Sequence, residues 1–215
     1  MKIVLLSQRV EVVESYGERR DCLDQNWYRF IMDCGYVPAA APNHAAVAAD
    51  IFRAMSPAGL IFTGGNDLVA YGGSAPERDE TERRLLEYAM AENIPVLGVC
   101  RGMQFIHCFF GGVLQKVEGH AAVRHRLHFK GKEVDVNSYH NYGVTKLQHD
   151  FFPLASSGDG VIEAMGHRSR AIMGVMWHPE REEKSRERDI ELVQNLIEGG
   201  CSKTCAGASV LEQRL

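Results

Sequence analysis

Between Ile94 and Gly112 the chain reads "IPVLGVCRGMQFIHCFFGG", a buried-strand pattern that passes without a linker into a helical one. Cys100 stands at the junction, with Gly98 and Gly102 on either side. A strand that feeds straight into a helix belongs to α/β architectures. The spacing Gly98-Val99-Cys100-Arg101-Gly102 is that of a G-x-nucleophile-x-G elbow, in which glycines let the backbone turn sharply enough to push a strained nucleophile out at the top of a sheet. Free N–H groups at the start of the helix favour a thiolate, the reactive form, over a thiol. The Arg101 N–H is then placed to face the oxyanion of a tetrahedral intermediate. A Gly-x-Cys-x-Gly stretch also occurs by chance at strand ends, so the elbow needs a second element to carry weight.

The flanking rhythm agrees with the elbow. "KIVLL" (2–6), "YVPAAAP" (36–42), "GLIFTGG" (59–65) and "IPVLGV" (94–99) read as strands. Between them "DCLDQNWYRFIMDCG" (21–35), "HAAVAADIFRAM" (44–55) and "DETERRLLEYAMAEN" (79–93) read as helices. Such alternation predicts a parallel sheet covered on both faces, with the site beyond the carboxyl ends of its strands. After residue 112 "HRLHFKGKEVDVNSYH", "YGVTKL" and "GVIEAMGHRSRAIMGVMWH" read as antiparallel strands and hairpins, and "SRERDIELVQNLIEGG" as a closing helix. The expected organisation is one catalytic domain over residues 1–199 and a mobile tail over 200–215.

The second element is "AIMGVMWHPER", where an apolar strand delivers His178 at its end and Pro179 stops it. A thiolate that makes and breaks acyl bonds needs a histidine to move protons and a carboxylate to orient that histidine. By strand alternation Glu180 would point to the same side as His178 and within its reach.

Composition narrows the partners. The chain has 215 residues, 45% of them hydrophobic, and a formal net charge of −4. That is enough for one substantial core, and it argues against nucleic acid or an anionic membrane surface as a target. "MKIVLLSQRV" is broken by Ser7, Gln8 and Arg9 after four apolar residues, so no secretory signal is read there and a cytoplasmic location is expected. Of the six cysteines, Cys22, Cys34 and Cys108 fall in apolar helical patterns and are expected to be core. Cys201 and Cys205 sit in "EGGCSKTCAGAS" without a second ligand pair.

"GVCRGMQ" together with "WHPE" resembles the class I glutamine amidotransferase superfamily, and the likeness runs from "KIVLL" to "NLIEG". Within it, "GLIFTGGNDLVAYGG", "ERDETE", the "GG" at 111–112, "VNSYHN" and "WHPER" are most similar to the γ-glutamyl hydrolase branch. The resemblance implies a flavodoxin-like three-layer α/β sandwich with a mostly parallel central sheet and a smaller antiparallel portion. It implies Cys100 as nucleophile, His178 as general base and acid, Glu180 as its orienter, and an oxyanion hole from Gly65 and Arg101. Gln104, Asn137, Ser138, Tyr139 and His140 would hold the ends of the glutamyl group. The branch commonly shows an "NSxHxQ" pattern where this chain reads Asn137-Ser138-Tyr139-His140-Asn141-Tyr142, which sets its leaving-group pocket apart. The charged stretch Glu18, Arg19, Arg20, Asp21 is either a solvated surface or a substrate contact. With "MWHPER" it is similar to members that act on nucleotide-linked amidates.

The reaction expected is hydrolysis of a γ-glutamyl amide through a glutamyl thioester, with no cofactor. The partners expected are a small-molecule γ-glutamyl substrate and, at most, a second copy of the chain in a homodimer. A glutaminase subunit delivering ammonia to a separate synthase is the alternative, and a non-enzymatic protein on the same scaffold a third. His120, His125, His128 and His140 lack a nearby acid or thiolate at ligand spacing, so no metal is expected. "RHRLHFKGK" reads as a solvated hairpin, and "TGGND" and "YGGSAP" lack the lysine and helix of a phosphate cradle.

Overall fold

Short uninterrupted apolar runs become strands that are covered on both faces. The computed structural model describes residues 1–129, 131–182 and 186–200. β1 (Ile3–Leu6) is followed by a hairpin of β2 (Arg9–Val13) and β3 (Glu18–Cys22), then α1 (Asn26–Asp33), β4 (Val37–Ala40), α2 (Ala45–Met55) and β5 (Gly59–Phe62). α3 (Pro76–Glu92), β6 (Val96–Val99) and α4 (Arg101–Phe109) complete the alternating half. Next come β7 (Gln115–Lys116), β8 (Ala121–Phe129), β9 (Lys132–Tyr139), β10 (Tyr142–Gly143), β11 (Phe151–Ser156), β12 (Ile162–His167), β13 (Ile172–Val175) and α5 (Arg186–Gly200).

Seven strands form one sheet in the order β11-β12-β13-β6-β5-β1-β4. The pairs from β13 to β4 are parallel, and β12 and β11 add antiparallel pairs at one end. Period-two alternation divides the strand residues between two layers. Val4, Leu6, Ile61, Leu97 and Val99 pack with Trp27, Phe30, Leu192 and Leu196 of α1 and α5. Leu5, Leu60, Phe62 and Val96 pack with Phe52, Leu85, Leu86, Met103 and Ile106 of α2, α3 and α4. The three-layer sandwich with its mostly parallel sheet is therefore as expected. Among the described residues no helix is long and apolar enough to cross a membrane.

Four local readings change. The helix expected over 21–35 begins only at Asn26, where the Asp24 carboxylate accepts from the Asn26 N–H at 3.0 Å. The charged stretch 18–21 is strand, paired from Arg9↔Cys22 to Val13↔Glu18, so Cys22 ends a strand and is half-buried rather than helical core. "YGVTKL" contributes only the two residues of β10 and an isolated bridge from Val144 to Ile162. β11 adds a strand to the expected set. It carries Pro153, which removes an N–H and is tolerated because β11 is the sheet edge. The tail with Cys201 and Cys205 lies outside the described residues.

Candidate active site

A single residue separates β6 from α4. Cys100 takes φ 51° and ψ −107°, a conformation L-residues rarely adopt, and is 7% exposed. Its N–H donates to Val175 O at 2.7 Å and its carbonyl accepts from Gln104 N at 3.1 Å, so the corner is tied to β13 on one side and to the helix on the other. The glycines make the turn sterically feasible. A Cβ on Gly98 would lie 2.6 Å from the Gly102 carbonyl carbon and oxygen, and one on Gly102 would lie 2.0 Å from Phe62 O.

β13 runs next to β6 in parallel, with Gly174 opposite Gly98, so the chain leaving β13 emerges beside the elbow. His178 sits at the head of a 3-10 turn over Pro179–Arg181. That turn, not strand alternation, folds Glu180 back so that His178 Nδ1 and Glu180 Oε1 are 2.8 Å apart. Both side chains are buried. The backbone of His178 is clamped by Asn137, whose Oδ1 accepts from His178 N at 2.8 Å while its Nδ2 donates to His178 O at 3.0 Å. Burial works against the imidazolium, but hydrogen bonding and charge from Cys100, then from Glu180, outweigh it and raise the His178 pKa to about 10. The His178 ring thus has Nδ1 taken by the Glu180 carboxylate and feels Cys100 strongly enough to raise its pKa.

The loop after β5 closes the site from the other side. A Cβ on Gly64 would lie 2.6 Å from His178 Cε1, so only glycine lets the ring sit there. Gly65 has φ +81°, and a Cβ on it would lie 2.9 Å from Arg9 Cδ. The carbonyls of this loop are held from behind by Arg78, fully buried on α3. Its guanidinium donates to Thr63 O at 2.7 Å, to Gly64 O at 3.1 Å and to Gly65 O. Arg78 Nε also donates to Glu82 at 3.0 Å, and Glu82 and Asp79 in turn bind the Arg101 guanidinium. Burial, and after it the charge of Arg101, lower the Arg78 pKa to about 10. "ERDETE" therefore ties the Gly64-Gly65 loop and the residue after Cys100 to one helix, a role its sequence did not disclose. Asn66 adds a second tie, exchanging hydrogen bonds of 2.8 and 2.9 Å with the backbone of Val10 and so fastening the β2–β3 hairpin over the loop.

A cleft opens beside His178, Glu180, Gly64 and Gly65, with Arg9 and Arg181 at its rim and Cys22, Asp24 and Trp27 on its wall. Neither Cys100 nor any of the residues expected as glutamyl ligands lines this cleft. Gln104 is buried and donates to Tyr142 O at 2.8 Å. Asn137 spends its amide on His178 and Glu182, and buried Ser138 donates to His120 O at 2.6 Å. His140 is buried with Nδ1 3.0 Å from Tyr142 O. Tyr139 is exposed, and its ring meets that of His178 edge-on at 5.7 Å. From the charged stretch, Arg19 binds Glu77 and Ser74 O on the α3 side, and Asp21 accepts from Asn43.

Comparison with known proteins agrees with this architecture. The family model described as glutamine amidotransferase class-I matches residues 18–198. A γ-glutamyl-CDP-amidate hydrolase of Campylobacter jejuni is 33% identical over 180 residues, covering 82% of this chain and 89% of its own. A glutamine-hydrolyzing GMP synthase subunit of Methanosarcina barkeri is 30% identical over 88% of this chain and 95% of its own. Among solved structures, a candidate GMP synthase subunit of Thermoplasma acidophilum superposes with a TM-score of 0.70 at 22% identity, over 92% of this chain and 93% of that one. At that identity the likeness concerns the fold.

Proposed function

Because this chain belongs to the class I glutamine amidotransferase family, we propose that it is a thiol hydrolase of γ-glutamyl amides working through Cys100, His178 and Glu180. One observation carries the reading: His178 pairs at 2.8 Å with a buried carboxylate while a strained cysteine at a strand-to-helix corner raises its pKa. Cys100 Sγ attacks the side-chain carbonyl carbon of the γ-glutamyl group. The N–H groups of Arg101 and Gly65 receive the oxyanion, and the Arg78 contacts that fix the loop carbonyls keep the Gly65 peptide from turning away. The charged His178 gives its proton to the departing amine as the C–N bond breaks. A glutamyl thioester remains. The sulfur is then acylated and uncharged, so the largest influence raising the His178 pKa is gone and the ring can take a proton from water. Hydroxide cleaves the thioester, glutamate leaves, and the Cys100 thiolate and charged His178 ring are restored.

The relative in Campylobacter jejuni supports a nucleotide-linked γ-glutamyl amidate as substrate. The resemblance to GMP synthase subunits supports the other reading, a glutaminase that feeds a synthase. Purified chain assayed alone for glutamate release separates the two. A hydrolase cleaves a γ-glutamyl CDP-amidate unaided and faster than glutamine, whereas a synthase component stays nearly silent on glutamine until its synthase is added. Cys100→Ala is expected to abolish turnover while the chain still folds. Near-normal rates in that variant would remove the mechanism.

A further inference from the structure

Four side chains converge between the β8–β9 hairpin and β12 without satisfying one another. His120 precedes β8, His125 lies on it, His140 follows β9, and Glu163 belongs to β12. His120, His140 and Glu163 are 1%, 3% and 0% exposed, and His125 is half-buried. His120 Nδ1, His125 Nε2, His140 Nε2 and both Glu163 oxygens are buried with no hydrogen-bond partner. Buried polar atoms are paired in the large majority of cases, and an unpaired carboxylate is among the costliest exceptions.

The protons aggravate the mismatch. His120 Nε2 is 2.8 Å from Asp159 Oδ2, and the other Asp159 oxygen is fixed by Ser157 Oγ at 2.6 Å. A proton on Nε2 therefore serves Asp159 and leaves a lone pair on Nδ1. His140 Nδ1 faces the Tyr142 carbonyl at 3.0 Å, which can only accept, so its lone pair is on Nε2. These two lone pairs lie 3.1 and 3.6 Å from Glu163 Oε1. Electron-rich atoms at that separation repel unless a positive charge stands between them.

We propose that His120, His125, His140 and Glu163 hold a divalent d-block cation, zinc by preference, in a closed tetrahedral site. Ligand atoms placed at about 2.0–2.2 Å around a tetrahedral ion are separated by roughly 3.3–3.6 Å, which the two measured spacings approach. One ligand atom from each of His120, His125 and Glu163 lie within 4.8 Å of one another, and His140 Nε2, 3.6 Å from Glu163 Oε1, stands outside that trio, so both the half-buried His125 ring and the His140 ring would close in, His125 by about 1 Å. Three imidazoles select zinc, copper, nickel or cobalt over magnesium and calcium. Asp159 behind His120 is the outer carboxylate that fixes a ligand's tautomer. With all four positions supplied by protein, the ion is structural: it fastens the hairpin to the central sheet, and that hairpin carries Asn137 to the His178 backbone. Short-range spacing concealed this arrangement, because the acid arrives from β12.

The test uses the untagged full chain, stripped with chelator and titrated with Zn²⁺ against a chromophoric competitor, with Co²⁺ absorption reporting geometry. The expected result is about one tightly bound Zn²⁺ per chain, an intense tetrahedral Co²⁺ spectrum and a higher melting temperature with the ion. Asp159→Asn, at a half-exposed position, should weaken binding by roughly 10–100-fold, and His125→Ala and Glu163→Gln by more. His128→Ala, exposed on the same strand, should bind as the parent does. If Glu163→Gln fails to fold, His125→Ala and Asp159→Asn carry the test. The absence of saturable binding of Zn²⁺ and Co²⁺ would overturn the proposal in favour of a second proton shared between His120 and Glu163. So would binding left intact by both His125→Ala and Asp159→Asn.

Discussion

Replacing Gly102 by alanine tests whether the elbow is a matter of backbone approach. Gly102 is the second residue of α4 and has no positive φ, so helix propensity alone would favour alanine by up to about 1 kcal/mol. The structure reverses the sign. The new Cβ would lie 2.0 Å from Phe62 O and 2.7 Å from Phe62 C, both backbone atoms of the neighbouring strand. Bringing that oxygen out to about 3.0 Å requires a relative movement of about 1 Å between α4 and β5, and overpacking of this kind costs typically 1–3 kcal/mol. For a chain of this size that is a fall in melting temperature of roughly 2–12 °C. Phe62 is also the last residue of β5, directly before Thr63, Gly64 and Gly65. The same movement separates Cys100 from the loop against His178, and displacement by about 1 Å is enough to cost on the order of 100-fold in rate. Thermal melts and glutamate release from a γ-glutamyl amide measure the two effects. Gly158→Ala, where a Cβ meets nothing within 4 Å, is the control and should behave as the parent does. A Gly102→Ala variant that melts with the parent and keeps half of its activity would refute the close-approach reasoning.

Two further outcomes follow from the buried charges. Arg78→Lys keeps the charge but cannot serve Glu82 and the carbonyls of Thr63, Gly64 and Gly65 together, so denaturant unfolding should show a loss on the order of 1–3 kcal/mol; parent-like stability would mean the network is dispensable. His178 has its pKa raised from 6.5 to about 10, so its contribution to stability is complete below pH 6.5 and is lost as pH rises through about 10. Ring-nitrogen NMR should find it protonated at pH 8 in the parent and, in Cys100→Ala, titrating at distinctly lower pH; a neutral ring at pH 8 in the parent would dismiss the ion pair.

What the sequence determines by itself is local. The corner at Cys100 is legible because its requirements fall within five residues: two glycines where backbone must pass, one residue where strain is held, and an apolar run on each side. His178 and Glu180 are legible for the same reason, although a 3-10 turn rather than strand alternation brings them together. The alternation of strands and helices sets a parallel sheet because each element's period states which faces must be covered. Only the tertiary structure decides which distant groups share a space. Arg78 gains its meaning from the loop at 63–65 that it grips, Glu82 from joining it to Arg101, and Asn137 from the His178 backbone 41 residues away. The 9–22 hairpin escapes notice because its strands are mostly exposed and carry little apolar pattern, and its place is set by Asn66 reaching Val10. His120, His125 and His140 look ordinary in line because Glu163 enters from another strand. Periodicity records how much of a residue is buried, whereas the partner that satisfies a buried charge is chosen by folding, and nothing in the residue's own neighbourhood names it.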